Sequence, residues 1–160
     1  SLRLTTGSRP RMVLASGDGS IKMVNFSGEV QTYEMKGFSE DPVFEYFDLD
    51  ADGAGEFIYV DANTLTAYDD NRSRMFTMTL SSDDIKGPYG LEFSSNDKKI
   101  GFTDASANKI YVLDERGKNL KGFPLNGTSS FSVGKLNRGS SFNLICGGSD
   151  SFLYNYEITR

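Results

Sequence analysis

The segment "IGFTDASANKIYVLDERGK", residues 100–118, decides the fold prediction because its pattern occurs four times in the chain. A short apolar run comes first, a polar turn follows, and a second apolar run ends at an acidic or amide residue. Residues 12–29, 57–73 and 144–157 have the same order of features, and the four starting points are 45, 43 and 44 residues apart. The turns are rich in Gly, Asn, Asp and Ser, which reach positive φ at low cost. Each segment therefore predicts a β-hairpin.

The repeat contains two further strands. One precedes each hairpin, in the runs that begin at Ser1, Pro42, Tyr89 and Ser130. After the hairpin, Gly28 and Gly117 stand at matching positions and predict a glycine turn into another strand, "VQTYEM" or "NLKGFPL". In the second repeat the turn "DDNRS" leads to "MFTMTL" in the same way.

Four antiparallel strands in about 44 residues are typical of a β-propeller blade. We therefore predict an all-β chain, a β-propeller of about four four-stranded antiparallel blades, forming one region over residues 1–160. The expected blades are residues 1–37, 42–81, 88–126 and 129–160, and the last of them lacks a fourth strand.

Four blades leave two architectures open. The chain is expected to be part of a larger propeller, which the missing initiator Met also suggests, and the alternative is a small closed ring of four blades. An open stack of blades exposes apolar faces and unpaired strand edges. If the chain exists alone, we expect it to associate with a second copy that covers its open end.

Composition narrows the function classes. Seventeen basic and 22 acidic residues give a net charge of −5, which argues against a nucleic-acid partner because phosphate binding needs a basic face. No apolar run approaches the roughly 20 residues of a membrane span, so we expect no membrane insertion. The chain has no His, which removes the commonest general base. The single cysteine, Cys146, allows no disulfide framework.

The segment "DLDADGAGEFIYV", residues 48–60, carries the strongest candidate site. Asp48, Asp50 and Asp52 alternate, Gly53 permits a sharp bend, and an acid follows at Glu56. A hard cation such as Ca²⁺ takes six to eight oxygen ligands, and a tight loop of this kind offers several. The alternative is a bare acidic turn in which the aspartates accept hydrogen bonds from their own backbone. The other three repeats have no comparable set of carboxylates.

The same segment resembles the D-x-D-x-D-G-x-x-D/E repeats of FG-GAP/VCBS propellers, found in integrin-α-like proteins. "GKNLKGFPL", residues 117–125, is similar to a phrase of FG-GAP and quinoprotein-like propellers, whereas residues 91–114 look more like WD or NHL blades. The resemblance implies one structural Ca²⁺. Its ligands would be the side chains of Asp48, Asp50 and Asp52, the backbone carbonyl of Ala54, and Glu56, where the family usually has Asp.

The resemblance also implies an extracytoplasmic protein, because propellers of this kind mostly work outside the cytoplasm. We expect a non-enzymatic binding or scaffold module for a protein or glycan partner, with calcium as a structural staple. The alternative is a part of a quinoprotein-like or glycan-cleaving propeller enzyme whose active-site residues lie mostly outside this segment. The absence of His favours the binding module.

Overall fold

The computed structural model describes residues 2–4, 11–16, 19–35, 38–39 and 42–158. These residues form fifteen strands in four separate antiparallel sheets, and the prediction of an all-β propeller with about four blades is confirmed. We number the blades in chain order. The strands of the first two are β1 Leu2–Leu4, β2 Arg11–Ala15, β3 Ser20–Asn25, β4 Val30–Glu34, β5 Val43–Phe47, β6 Glu56–Asp61, β7 Thr64–Tyr68 and β8 Arg74–Thr79.

The third and fourth blades follow the same plan. Their strands are β9 Ile85–Ser94, β10 Asp97–Asp104, β11 Lys109–Leu113, β12 Leu125–Asn126, β13 Phe131–Gly134, β14 Phe142–Gly147 and β15 Leu153–Ile158. In every blade each strand pairs with the next one along the chain. The first three blades have four strands, and the described part of the fourth has three.

The blades stack through apolar side chains on both faces of their sheets. In β6 of the second blade, Phe57 and Tyr59 pack towards the first blade, and Ile58 and Val60 pack towards the third. Side chains alternate between the faces of a strand, so a strand buried on both faces is apolar at every position. This explains the unbroken apolar run from Phe57 to Val60, in which every residue is buried.

Three apolar clusters fill the spaces between consecutive blades. Val13, Ile21 and Met23 belong to the first, and Phe93 and Ile110 to the third. None of the clusters in the described part of the chain joins the first blade to the fourth. The described residues thus form an array whose clusters join consecutive blades only, and a part of a larger propeller stays the expectation.

The turn after the hairpin has one geometry in three blades. Gly28, Arg72 and Gly117 adopt positive φ angles of 83°, 67° and 75°. Each donates its N–H to the carbonyl three residues earlier, at 2.9–3.0 Å. The residue that accepts this bond is the acid or amide that ends each hairpin in the sequence pattern.

The side chains of those acids and amides also accept a hydrogen bond within the same turn. The side-chain Oδ1 atoms of Asn25, Asp69 and Asp114 accept the backbone N–H four residues further on, at 2.9, 2.7 and 2.8 Å. A short polar side chain that accepts a nearby N–H stabilises a turn. The repeated acid or amide is therefore explained by the turn it holds.

The third blade departs from the prediction at both ends. Its first strand begins at Ile85, four residues before the predicted Tyr89. The predicted strand "NLKGFPL" is interrupted: Asn119 makes an isolated bridge to Leu113, and regular pairing resumes only in β12. The N–H of Phe123 bonds to the carbonyl of Leu120 at 3.0 Å in a turn, and Pro124 has no N–H for a ladder.

Serine residues ahead of a blade hold the end of its second strand, an arrangement that we call the serine contact. Ser39 donates its N–H to Asp61 at 2.9 Å, and its hydroxyl also bonds to this carboxylate. In the third blade the hydroxyls of Ser81 and Ser82 bond to Asp104, the second at 2.7 Å. In the fourth blade the hydroxyl of Ser129 accepts the N–H of Gly147 at 2.7 Å. The sequence analysis did not predict this feature.

Parts of some predictions lie outside the described residues. These are Ser1, residues 5–10 of the first predicted blade, the Gly17–Asp18 portion of the first hairpin turn, residues 36–37 at the end of that blade, and residues 159–160. In the part of the chain that is described, no helix has the length and apolar character that crossing a bilayer requires.

Candidate metal centre

The acidic loop, residues 48–55, connects the first two strands of the second blade. Phe47 at the end of β5 pairs with Glu56 at the start of β6, so the loop is closed at its base. Leu49 is buried and packs into the cluster between the second and third blades, which anchors the loop from within. Ala51 and Gly53 adopt positive φ angles of 65° and 92°, and these bends turn the chain back on itself.

Three of the five predicted ligands come together. Asp48, Asp50 and Glu56 each place one carboxylate oxygen within 4.8 Å of the other two. Oxygens bound to one Ca²⁺ at 2.3–2.6 Å are separated by at most about 5 Å, so this spacing fits a single ion. Asp52 does not belong to this group, and its carboxylate accepts the N–H of Ala54 at 2.7 Å.

Glu56 is the most perturbed carboxyl group of the loop. Its side chain is only 1% exposed, and it accepts hydrogen bonds from the backbone N–H groups of Leu49 and Asp50. Burial raises the pKa of Glu56 to about 7, and the neighbouring carboxylates of Asp50 and Asp48 act in the same direction. Burial, followed by repulsion from Asp52 and Asp48, also raises the pKa of Asp50. The negative charges of these carboxylates therefore repel one another and are not balanced within the loop.

One positive charge reaches the site from the next blade. Nζ of Lys98, on β10, lies 2.5 Å from Oδ2 of Asp48, and the ammonium group also lies 5.9 Å from the centre of the Phe47 ring. This contact could not be predicted from the sequence, because Lys98 is 50 residues away in a different repeat. The lysine neutralises one carboxylate, and the other two have no such partner in the contacts described.

The loop combines features of both predicted states. Asp50 accepts the N–H of Asp52 at 3.1 Å and Asp48 accepts that of Gly53 at 3.3 Å, as in a self-capped acidic turn. The converging oxygens of Asp48, Asp50 and Glu56 nevertheless form a donor set that consists of oxygen alone, which a hard divalent cation prefers. Among the described residues this is the one group of three or more potential metal ligands.

Comparison with known proteins places the chain by fold. No protein-family model matches the sequence, and no curated protein sequence is significantly similar to it. Solved structures do match, and one is BBS1N in complex with ARL6DN, with 14% identity and a TM-score of 0.67 over 100% of this chain. A second crystal of the same complex, soaked with lead, gives 15% identity and a TM-score of 0.68.

An enzyme has the same fold. A catalytically inactive virginiamycin B lyase from Staphylococcus aureus, solved with quinupristin, is 16% identical and gives a TM-score of 0.56 over 98% of this chain. The alignments cover 47% of the BBS1N chain and 54% of the lyase chain, so this chain spans about half the length of either. At such identities the similarity shows the propeller fold alone.

Proposed function

We propose that this chain is a non-enzymatic propeller module that binds a protein partner. The observation that carries the proposal is a groove of about 550 Å³ on the first blade, lined by side chains of β2, β3, β4 and the turn between β3 and β4. Phe26 lies beside it with 74% of its surface exposed. An exposed aromatic ring within a polar rim is the usual centre of a protein-binding site.

Two further observations support a binding role. The BBS1N propeller, which has the same fold, is bound to a protein in its crystal structure. The chain also contains no His, and one carboxylate of its acidic loop is paired with Lys98. These features leave the groove as the best candidate for recognition, with a glycan as the alternative ligand class.

The test uses two exposed phenylalanines in different hairpins. Phe26 is replaced by Asp, and Phe152, which is 68% exposed in the fourth blade, is replaced by Asp as the matched control. We expect the labelled wild-type chain and the Phe152→Asp variant to retain the same binders on a protein array, and the Phe26→Asp variant to lose them. Binding to a glycan array alone, or equal binding by both variants, would contradict the proposal.

The second candidate is a part of a propeller enzyme, of the quinoprotein-like or glycan-cleaving kind. The similarity to virginiamycin B lyase favours it, because that fold supports catalysis. On this view most active-site residues would come from outside these 160 residues. Turnover of a glycan substrate by a longer chain that includes those residues, and not by these 160 residues alone, would favour the enzyme over the binding module.

We also propose that the acidic loop holds one structural Ca²⁺ through Asp48, Asp50 and Glu56, with Asp52 and the Ala54 carbonyl completing the predicted ligand set. Asp50, Asp52 and Gly53 of the loop are exposed, and sites of modest affinity are filled at extracellular calcium concentrations. An extracytoplasmic location, which the resemblance to FG-GAP propellers implies, would supply such a concentration. The ion would join the entry of β6 to the end of β5 and would compensate the negative charge of Asp50 and Asp48, which adds to burial in raising the pKa of Glu56.

The calcium proposal is tested by thermal unfolding with excess Ca²⁺ and with chelator. A ligand at 100 times its Kd stabilises by about 2.7 kcal/mol, which corresponds to roughly 5–10 °C for a domain of this size. We expect this increase in Tm for the wild type and none for Asp50→Asn. The same Tm in both conditions for the wild type would leave the self-capped acidic turn as the better description.

A further inference from the structure

One face of the first blade packs against the second blade, and we call the other face of its sheet the outward face. Residues of this outward face correspond in the repeat to residues that are buried in the later blades. In the repeat, Met12 on β2 corresponds to Phe57, Ile100 and Leu144 of the later blades. Those three residues are at most 2% exposed because each packs against the preceding blade. Met12 is 39% exposed. The first blade thus presents a blade-packing face with no blade against it in the described part of the chain.

This face carries a continuous apolar row. Met12 pairs in register with Val24 of β3, and Val24 pairs with Val30 of β4. Val30 is 54% exposed, and Leu14 lies two residues along β2 on the same side. An apolar row across three neighbouring strands is unusual for a sheet face that stays in water.

The fourth blade presents the opposite kind of face at the other end of the array. Ile145 on β14 corresponds to Val13 and Ile58, which are fully buried against the following blade. Ile145 is only half-buried. Leu153 of β15, which pairs with Gly147 of β14 and so lies on the same side, is 76% exposed. The first blade therefore exposes the face that elsewhere packs on a preceding blade, and the fourth blade exposes the face that elsewhere packs on a following blade.

We propose that two copies of this chain close head to tail, so that the fourth blade of each copy packs on the first blade of the other. The chain aligns over its full length with only 47% and 54% of two solved propellers, so two copies supply about the length of one such propeller. A head-to-tail contact that closes after two copies leaves neither face exposed.

Light scattering on the purified chain, over a range of concentrations, measures the assembly. We expect twice the 17.6 kDa mass of one chain for the wild type. Met12→Asp and Ile145→Asp should each give the single-chain mass with unchanged circular dichroism, whereas Phe26→Asp, which lies outside both faces, should remain a dimer. A single-chain mass for the wild type would overturn the proposal, and so would a mass that grows beyond two copies.

Disulfide trapping identifies the faces. Met12→Cys and Ile145→Cys in one chain should give a covalent dimer on oxidation, whereas either change alone should not; the native Cys146 is buried. Trapping by Met12→Cys alone would show two first blades in contact and would overturn the head-to-tail arrangement. Because Phe26→Asp leaves this assembly intact, the result is independent of the proposed partner groove.

Discussion

Gly28 and Gly117 occupy the same turn position in two blades, but their surroundings differ. A Cβ atom on Gly28 would have no neighbour within 4 Å, whereas one on Gly117 would lie 2.6 Å from Cδ2 of Phe76. Both residues have positive φ, which costs an Ala roughly 1–2 kcal/mol. The pair separates the cost of backbone conformation from the cost of a steric clash.

We therefore expect Gly28→Ala to lower the free energy of unfolding by about 1 kcal/mol and Gly117→Ala by about 2–4 kcal/mol, because overpacking adds about 1–3 kcal/mol. Urea unfolding of both variants measures the difference. Equal losses would show that Phe76 moves aside without cost.

Asp104 makes a pH-dependent contribution to stability. Burial alone would raise the pKa of Asp104, but hydrogen bonds from Ser81, Ser82 and the N–H of Ala107 hold it below its ordinary value. A carboxyl group whose pKa is lower in the folded state stabilises the fold above its unfolded pKa. This stabilisation is lost as the pH falls through the folded pKa, below about pH 4.

We expect Asp104→Asn to lower the free energy of unfolding by about 1–3 kcal/mol at pH 7, and the gap to the wild type to narrow below about pH 4. Urea titrations at pH 7 and pH 3 test this. Ser81→Ala combined with Ser82→Ala removes the two hydroxyl bonds and leaves the N–H of Ala107, so it should show a smaller narrowing in the same direction. A gap that is constant over this range would contradict the role of the charge.

At the scale of elements, the contact between β10 and the acidic loop links two blades. Lys98 points to Asp48 of the second blade, and its neighbour Lys99 pairs with Asp97 of its own blade at 2.6 Å. The two lysines are therefore neighbours on one strand with the same side chain, but Lys98 pairs with a carboxylate of another blade and Lys99 with one of its own blade.

With chelator present, we expect Lys98→Met to lower the free energy of unfolding by about 1–3 kcal/mol, between the values for exposed and buried ion pairs. Lys99→Met should cost less than about 1 kcal/mol. Saturating Ca²⁺ should restore the Lys98→Met variant, because the ion replaces the missing charge. Chemical unfolding with and without Ca²⁺ checks this, and a loss that Ca²⁺ leaves unchanged would separate the lysine from the metal site.

The sequence was sufficient for features that depend on neighbouring residues. Glycine or a short polar residue marks each hairpin and turn, so Gly28 and Gly117 were predicted, and the converging carboxylates of Asp48 and Asp50 follow from their spacing. Arg72 has the same positive φ without glycine, and its guanidinium group lies 5.0 Å from the Tyr33 ring of the first blade. This contact depends on how blades pack.

Features that join distant segments were not predictable in this way. The Lys98–Asp48 pair and the serine contacts connect residues 18 to 50 positions apart, and periodicity carries no information about such pairs. The predicted strand is interrupted between Asn119 and Leu125 because Leu120 and Phe123 close a turn and Pro124 has no N–H for the ladder. The apolar residues of this segment suggested a strand, but the turn and the proline prevent one.

For the whole molecule, the position of a strand in the array sets its protection. β6 and β10 are packed on both sides by neighbouring blades, whereas β15 is the last strand of a blade that packs on one side. Amides exchange slowly where opening requires the loss of many buried contacts.

We expect hydrogen–deuterium exchange to be slowest in β6 and β10 and fastest in β4 and β15 among the strands from β2 onward. Mass spectrometry of peptides from the native chain measures this order. At concentrations where two copies associate, β2 and β14 should gain protection while β7 does not change. Uniform exchange across all blades would show that the array opens only as a unit.

The serine contact has a consequence for how such a molecule could have arisen. Ser39 and Asp61, Ser81 and Asp104, and Ser129 and Gly147 are each closer in sequence than the length of one repeat, so a repeat unit that begins at the serine contains both members. A gene duplication that copies one repeat therefore carries both members of the bond. Each inserted copy would contain its own serine contact, so an ancestral array would lengthen by whole repeats without a new stabilising contact.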